Sequence, residues 1–307
     1  MSSDYPDNWL DCIKREINHF ETRTSLSPMT IKYYEGQQST LLAVMEKHGR
    51  NCLPYEINET DIRWLLFDYF ERRNFAVKTR KGYIASLAKI MEFYDNYALK
   101  KMNVQWSQDT RPTVDWLTKE EAQKILDLKM NPLQKIGLNF MLCMGLRRCE
   151  VLRLWPSKIH LDNSYFEIVG KGRAGGKWRN IPSHRDTPRV LEEFDAYRQD
   201  LVDRARKKSK IPNELVIWRN PSSGKLNPYS LEGWGWDKSA IIPLRKQSGI
   251  DFSNHTLRRT FGREMYKAEV DIVTISRIFG HDSIEVTIRY LGINMDDMQT
   301  AMSKCPF

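Results

Sequence analysis

Three short segments of this chain hold side chains that could act together on a phosphodiester. Near the C-terminus Ile278-Phe279-Gly280-His281-Asp282-Ser283 is followed, nine residues after the histidine, by Tyr290. Upstream lie Gly145-Leu146-Arg147-Arg148-Cys149-Glu150 and Asn254-His255-Thr256-Leu257-Arg258-Arg259-Thr260-Phe261. A phosphodiester resists attack because the nucleophile meets a negative charge and must expel an alkoxide. A protein catalyst must therefore grip the nonbridging oxygens with cations and supply a proton to the leaving oxygen. Arginine suits the first task, since its planar guanidinium stays charged and binds two oxygens at once. Lysine suits the second, because neighbouring cations lower its pKa. Tyrosine supplies the attacking oxygen.

The spacings agree with that chemistry. His255 and Arg258 are three apart on a predicted helix and so share one face, with Arg259 as an alternative that fits a helix neighbour almost as well. Arg147 follows the helix-breaking Gly145 and precedes Glu150 by one turn, so the carboxylate can hold the guanidinium. A helix capped at Asp282-Ser283 puts Ile284, Ile288 and Leu291 on a stripe expected to face the core. Tyr290 is then rotated roughly 100–120° from that stripe, which would leave its hydroxyl clear of the packed face. Taken singly, an H-x-x-R pair or an i,i+3 Arg–Glu pair is common on solvated helix faces. Their coincidence with Gly280-His281 and Tyr290 is what carries the reading.

These residues also resemble a known family. Gly145, Leu146, Arg147, Glu150 and Leu152 match G-L-R-x-x-E-x-L; His255 through Phe261 match H-x-L-R-x-T-F; and Phe279-Gly280-His281 matches L-G-H with phenylalanine for leucine, a conservative packing change. The chain looks like a tyrosine recombinase of the phage-integrase and Xer class, over roughly Trp116 to Leu291 and less specifically over the helical N-terminal half. The resemblance implies a mainly α fold with a small β-hairpin or sheet, built as a helical core-binding domain and a catalytic domain that clamp duplex DNA. It implies that Arg147 and Arg258 clamp the scissile phosphate, His281 donates a hydrogen bond to it, His255 handles the tyrosine proton and Glu150 orients the site. Tyr290 would become joined to the 3′-phosphate and release a 5′-hydroxyl, with no cofactor, metal or ATP. Gly170-Lys171-Gly172 matches the family's hairpin lysine, although Arg173-Ala174-Gly175-Gly176 lengthens the turn and makes Lys177 a rival to Lys171. The implied partner is double-stranded DNA with paired recombination sites, bound by a homotetramer that is a monomer or weak oligomer when free. Integration and excision of a mobile element is the leading role. The alternatives are Xer-like dimer resolution, type IB topoisomerase-like relaxation and, from another class, non-catalytic DNA-binding regulation.

The elements that must position these residues follow from periodicity. Trp9 to Phe20, Thr30 to Lys47, Thr60 to Arg73 and Thr79 to Tyr97 carry apolar residues at helical spacing and are expected to pack as one bundle, residues 1–107. Periodicity stops around Ser107 to Thr113, which gives a linker at 108–114 and a second domain at 115–307. Thr118-Lys119-Glu120-Glu121 has the form of a capping box. Helices are expected at 119–129, 133–144 and from Arg147. Two-residue alternation in Tyr165–Val169 and Trp178–Ile181 around a glycine-rich turn predicts a β-hairpin. After Pro188 the pattern is helical except for a strand-like run at Leu215–Trp218.

Charge and composition bound the rest. A chain of 307 residues with 48 Lys+Arg against 39 Asp+Glu carries a net charge of +9, which suits a polyanionic partner. Arg72, Arg73, Lys78, Arg80 and Lys81, interleaved with Phe75 and Tyr83, form a basic stretch at a helix start predicted to meet DNA phosphates. The run Arg204 to Lys210 reads as exposed loop. Five scattered cysteines without a C-x-x-C pair argue against a disulfide framework or zinc site and for a reducing cytoplasm, with the protein on the nucleoid. No N-terminal leader pattern and no apolar run of about 18 residues is present, so no membrane span is expected. After Gly292, the residues Met295, Met298 and Met302 recur at helical spacing, and by resemblance their apolar stripe is expected in a groove of a neighbouring protomer.

Overall fold

The computed structural model describes residues 5–24, 26–106, 115–170, 176–293 and 295–304. The chain divides into two compact units, Met1–Pro112 and Thr113–Phe307. The predicted linker at 108–114 lies outside the described residues.

The first unit is helical, as its periodicity predicts: α1 (Trp9–Arg23), α2 (Pro28–Lys47), α3 (Glu59–Arg63), which continues as π-helical turns through Phe70, α4 (Val77–Phe93) and α5 (Ala98–Met102). Asn8, Ser27 and Asn58 each accept a backbone N–H at a helix start and so fix where α1, α2 and α3 begin. The fourth helix ends before the expected Tyr97. Asp95 takes a left-handed φ of 58°, which the helix cannot continue through, and the unforeseen α5 follows. Leu42, Met45, Leu65, Phe70, Leu87 and Ile90 are fully buried between the helices.

The second unit opens with α6 (Lys119–Leu126), whose predicted capping box is present. The Thr118 Oγ1 accepts the Glu121 N–H at 3.1 Å and the Glu121 carboxylate accepts the Thr118 N–H at 2.9 Å. Then come α7 (Pro132–Leu138), extended by π-helical turns through Cys143, and α8 (Arg148–Arg153). Strands β1 (Ile159–His160), β2 (Tyr165–Val169) and β3 (Trp178–Pro182) form an antiparallel sheet in sequence order, with Glu167 opposite Asn180. After α9 (Thr187–Asp203) and the expected exposed loop, β4 (Ile217–Arg219) pairs with β5 (Leu226–Pro228). Only β4 was signalled by a strand-like run. Helices α10 (Ile242–Ser248), α11 (Asn254–Lys267), α12 (Ile272–Phe279), α13 (Ile284–Leu291) and α14 (Met295–Ser303) complete the unit. Its core gathers Phe140, Leu146, Val151, Phe166, Trp236 and Leu257. Burying each of these side chains contributes about 2 kcal/mol or more, so α8, β2 and α11 are fixed relative to one another.

The C-terminal helix is held by its acidic side. Arg263 of α11, only 6% exposed, donates from both terminal nitrogens to Asp297, while Trp116 and Tyr266 flank its guanidinium with ring centroids 4.6 and 5.7 Å away. Lys304 pairs with Glu269. Met295, Met298 and Met302 are exposed. Within this chain α14 is therefore tethered to its own unit, and its methionine stripe is not the surface that packs. Asp297→Asn should lower stability by about 3 kcal/mol, because it leaves a buried guanidinium charge without its carboxylate. Urea denaturation should show an earlier midpoint at unchanged slope; an unaltered midpoint would mean that this pair does not anchor the helix.

Candidate active site

The site is assembled around one buried carboxylate. Arg147 is the N-cap residue of α8, where its N–H donates to Glu150 Oε2 at 2.8 Å and its Nη1 to Oε1 at 2.8 Å. Glu150 is 1% exposed. From β3, Arg179 donates to both of its oxygens at 2.9 Å, and from α11 the Arg258 guanidinium stands 3.6 Å away. Burial alone would raise the Glu150 pKa. The hydrogen bonds and charge of Arg179, with the charges of Arg258 and Arg147, outweigh it and hold the carboxyl below its ordinary value.

Arg258 is the inner cation. It is 1% exposed, donates to the Gly145 carbonyl and to the Phe279 carbonyl at 2.7 Å, and lies 4.2 Å from the centre of the Phe279 ring. Burial and then the Arg147 charge pull its pKa down to about 9, which still leaves it charged at neutral pH. Both carbonyls sit at glycine-dependent turns. Gly145 has φ 64°, and a Cβ there would strike the Phe261 ring; Gly280, with φ 61°, ends α12 where a Cβ would meet the Arg179 side chain at 3.0 Å. Phe279 does more than fill leucine's space. Its ring also meets Tyr290 edge-on at 5.2 Å and His281 at 5.1 Å.

His281 leaves the α12 cap with its Nδ1 2.9 Å from the buried Thr287 hydroxyl. Burial first, then Arg258, Arg147 and Arg179, push its pKa down to about 4, so the ring is neutral at pH 7. Tyr290 is half-buried, its ring 5.4 Å from His281 and 5.3 Å from the Arg259 guanidinium. Its hydroxyl reaches the His255 carbonyl at 3.5 Å. Burial raises the phenol pKa, which Arg258, Arg259 and Arg147 only partly offset. The expected orientation of α13 is corrected here. Ile284 and Ile288 are exposed, and Thr287 and Leu291 are the buried residues. The helix turns that side inward because Thr287 bonds His281 and the Tyr290 ring packs on Phe279. Beside these groups an open cleft of about 680 Å³ is lined by Arg147, Lys177, Arg179 and His281.

Arg147, Glu150, Arg258, His281 and Tyr290 are thus brought together from α8, α11, α13 and the turn that follows α12. His255 is on an exposed turn of α11, close to Tyr290 through its backbone, while Arg258 of the same expected face is buried. Lys171 lies outside the described residues. Its rival Lys177 lines the cleft and pairs with Asp282, next to His281. In the first unit, Lys78 is exposed, Arg72 is exposed in an ion pair with Asp68 and Arg73 stacks on Tyr69, whereas Lys81 is half-buried. Arg80 is otherwise engaged: its side chain is 18% exposed, with Nε on the Phe75 carbonyl at 2.7 Å and Nη1 3.5 Å from Glu71. Sequence reasoning missed Arg179. Its signal was the two-residue alternation of β3, which puts it on the same face as the buried Ile181, an inward place that a charge takes only with a partner.

A half-buried tyrosine beside clustered guanidiniums and a histidine agrees with the class to which comparison with known proteins assigns the chain: it is a site-specific tyrosine recombinase, an enzyme that breaks and rejoins DNA. The chain belongs to the phage integrase family, whose model matches residues 115–296. It is 24% identical over 278 residues to the tyrosine recombinase XerD of Oceanobacillus iheyensis, covering 87% of this chain and 89% of that one. Tyrosine recombinase XerA of Pyrococcus horikoshii is 27% identical over 188 residues, 61% of this chain and 60% of its own. A structure of the XerH site-specific recombinase bound to palindromic difH substrate in a post-cleavage complex has a TM-score of 0.68 at 17% identity, covering 97% of this chain and 96% of that one. A lambda integrase(75-356) dimer bound to a COC′ core site gives 0.64 at 17% identity, covering 92% and 94%. These two likenesses concern the fold. No helix among the described residues is long and apolar enough to cross a membrane.

The depressed His281 pKa has a definite sign. An unfolded chain takes up the histidine proton near pH 6.5, whereas the folded ring resists it until about 4. Stability should therefore fall as the pH drops from 6.5 towards 4. NMR titration of the free protein should place the His281 midpoint well below 6.5, and a bound phosphodiester should raise it. A midpoint at the ordinary histidine value would show that the ring is not enclosed by the arginines.

Proposed function

We propose that the enzyme exchanges DNA strands between paired sites through a 3′-phosphotyrosine intermediate, with integration and excision of a mobile element as its role. The observation that carries this reading is the excess of guanidinium over carboxylate around Glu150, next to Tyr290. Arg147 and Arg258 grip the nonbridging oxygens. His281, neutral and accepting from the Thr287 hydroxyl at Nδ1, offers its Nε2–H to the same phosphate. The Tyr290 oxygen attacks phosphorus and the bond to the 5′-oxygen breaks. His255 takes the phenolic proton, and Lys171 gives one to the leaving oxygen. The phosphotyrosine retains the bond energy, so the 5′-hydroxyl of the partner strand can reseal the backbone without ATP or a metal. The first unit acts as a core-binding domain, with Arg72, Arg73, Lys78 and Lys81 facing the phosphates. Arg80, the other predicted contact, helps hold the turn before α4. A homotetramer joins the two sites. Xer-like resolution of DNA dimers is the second reading, supported by the near full-length match to a XerD recombinase. Recombination between direct and inverted sites on a plasmid, against an attachment-site pair, separates the two.

Tyr290→Phe should keep DNA affinity and abolish the denaturation-resistant adduct, since only the attacking oxygen is lost. An adduct persisting in that variant would move the nucleophile elsewhere. Arg258→Lys should cut cleavage by at least a hundredfold, or about 2.7 kcal/mol, because a point charge cannot replace the fork; near-normal cleavage would give Arg259 the role. Lys171→Ala should slow cleavage strongly on a normal substrate and little on a 5′-bridging phosphorothiolate, whose leaving group needs no proton. If Lys177→Ala alone is rescued in this way, Lys177 is the proton donor.

A further inference from the structure

One loop, hydrogen-bonded to the sequence neighbours of Arg147 and His255, holds an indole out in solvent. Trp234, in Ser230-Leu231-Glu232-Gly233-Trp234-Gly235-Trp236, is 71% exposed, the most exposed aromatic among the described residues. A lone exposed apolar residue usually needs no explanation. Here the backbone around it is fastened on every side. Arg148, the neighbour of Arg147, donates to the carbonyls of Leu231 at 2.9 Å and Gly233 at 2.8 Å and pairs with the buried Asp237 at 2.8 Å. The Ser230 hydroxyl accepts the N–H groups of Glu232 and Gly233 at 3.3 and 3.2 Å. Asp237 also accepts from Asn254, the neighbour of His255, at 2.5 Å, and Asn254 accepts the indole N–H of the buried Trp236 at 3.0 Å.

The loop is thus tied to the residues flanking both Arg147 and His255. We propose that Trp234 is a DNA-contacting residue of the catalytic unit, packing its ring on deoxyribose or base surface beside the scissile phosphate, with Arg148 and Asp237 holding it in register with the site. The inference rests on the recombinase reading. The fastened backbone favours this use, because the loop loses little entropy on binding. A contact with sugar or base is favoured over phosphate because the exposed indole carries no charge, and because an aromatic face recognises nucleic acid without regard to sequence.

The test uses the full chain and a mixed-sequence duplex of about 40 base pairs. Trp234→Ala should bind about tenfold more weakly, with Trp234→Phe in between, while the slope of affinity against salt stays unchanged since no phosphate contact is lost. Hydroxyl-radical footprinting of the unaltered protein should show Trp234 reactive when free and protected by the duplex. Unaltered affinity in Trp234→Ala, or a Trp234 that stays reactive while peptides around His281 and Tyr290 become protected, would overturn the proposal and leave the recombinase reading standing. If the His281 and Tyr290 peptides also stay reactive, the recombinase reading itself fails. A reduced salt slope would assign the loop to phosphate binding and overturn the stated contact.

Discussion

The structure depends on a single carboxylate that serves three guanidiniums. Glu150 is buried and cannot neutralise Arg147, Arg179 and Arg258 together, so the cluster carries an excess of positive charge in a place where water screens it poorly. Such an arrangement is costly in the empty protein, and the geometry shows how the cost is met. Arg258 spends its other donors on the carbonyls of Gly145 and Phe279, Arg179 spends Nε on the Ile278 carbonyl, and Arg147 remains at the edge of the cleft. The unbalanced charge is therefore aimed at the opening, where an anion would complete it. Burial and the same excess together account for the state of the other groups. Burial first, and then the arginine charges, keep His281 neutral, while those charges are not enough to overcome burial and ionise Tyr290. The resting enzyme holds an unreactive phenol next to a strong anion trap.

The folding of α8, β3, α11 and α12 has one common outcome, which is the placement of that charge. The two turns that α8 and α12 require are made by Gly145 and Gly280, and the carbonyls of Gly145 and Phe279 at these turns become the acceptors for Arg258. Local backbone rules and the chemistry of the site are thus satisfied by the same residues. Much of this can be traced to core packing by Phe140, Leu146, Phe166 and Leu257, which sets the distance between the hairpin and the helices.

The sequence made legible the helical segments of the first unit, the hairpin of β2 and β3, the capping box at Thr118 and the gathering of Arg147, Glu150, Arg258, His281 and Tyr290. Each of these leaves a local mark, either a period or a motif. What it did not reveal depended on side-chain contacts that no period or motif marks, whether between residues five or six apart or between distant segments. The orientation of α13 is set by the bond between Thr287 and His281 and by the Phe279 ring, so a stripe of isoleucines misled the helix-face argument. Arg80 looked like a DNA contact because no local pattern reveals its bond to the Phe75 carbonyl. Arg179 was passed over because an inward charge on a strand acquires meaning only once Glu150, 29 residues earlier, is known to meet it. The methionine stripe of α14 is exposed in this chain, and the tether through Asp297 to Arg263 is invisible to periodicity.

Phe279 has a wider consequence. One ring touches the inner arginine, the histidine and the tyrosine, and its own carbonyl accepts from that arginine. Loosening the end of α12 would therefore displace all three partners at once and could not leave a lone exposed tyrosine beside an intact cation cluster. The contacts of this one ring link the three groups, so that fraying at the end of α12 disturbs the arginine, the histidine and the tyrosine together. For an enzyme that breaks and rejoins DNA, that linkage amounts to a fail-safe written into side-chain packing.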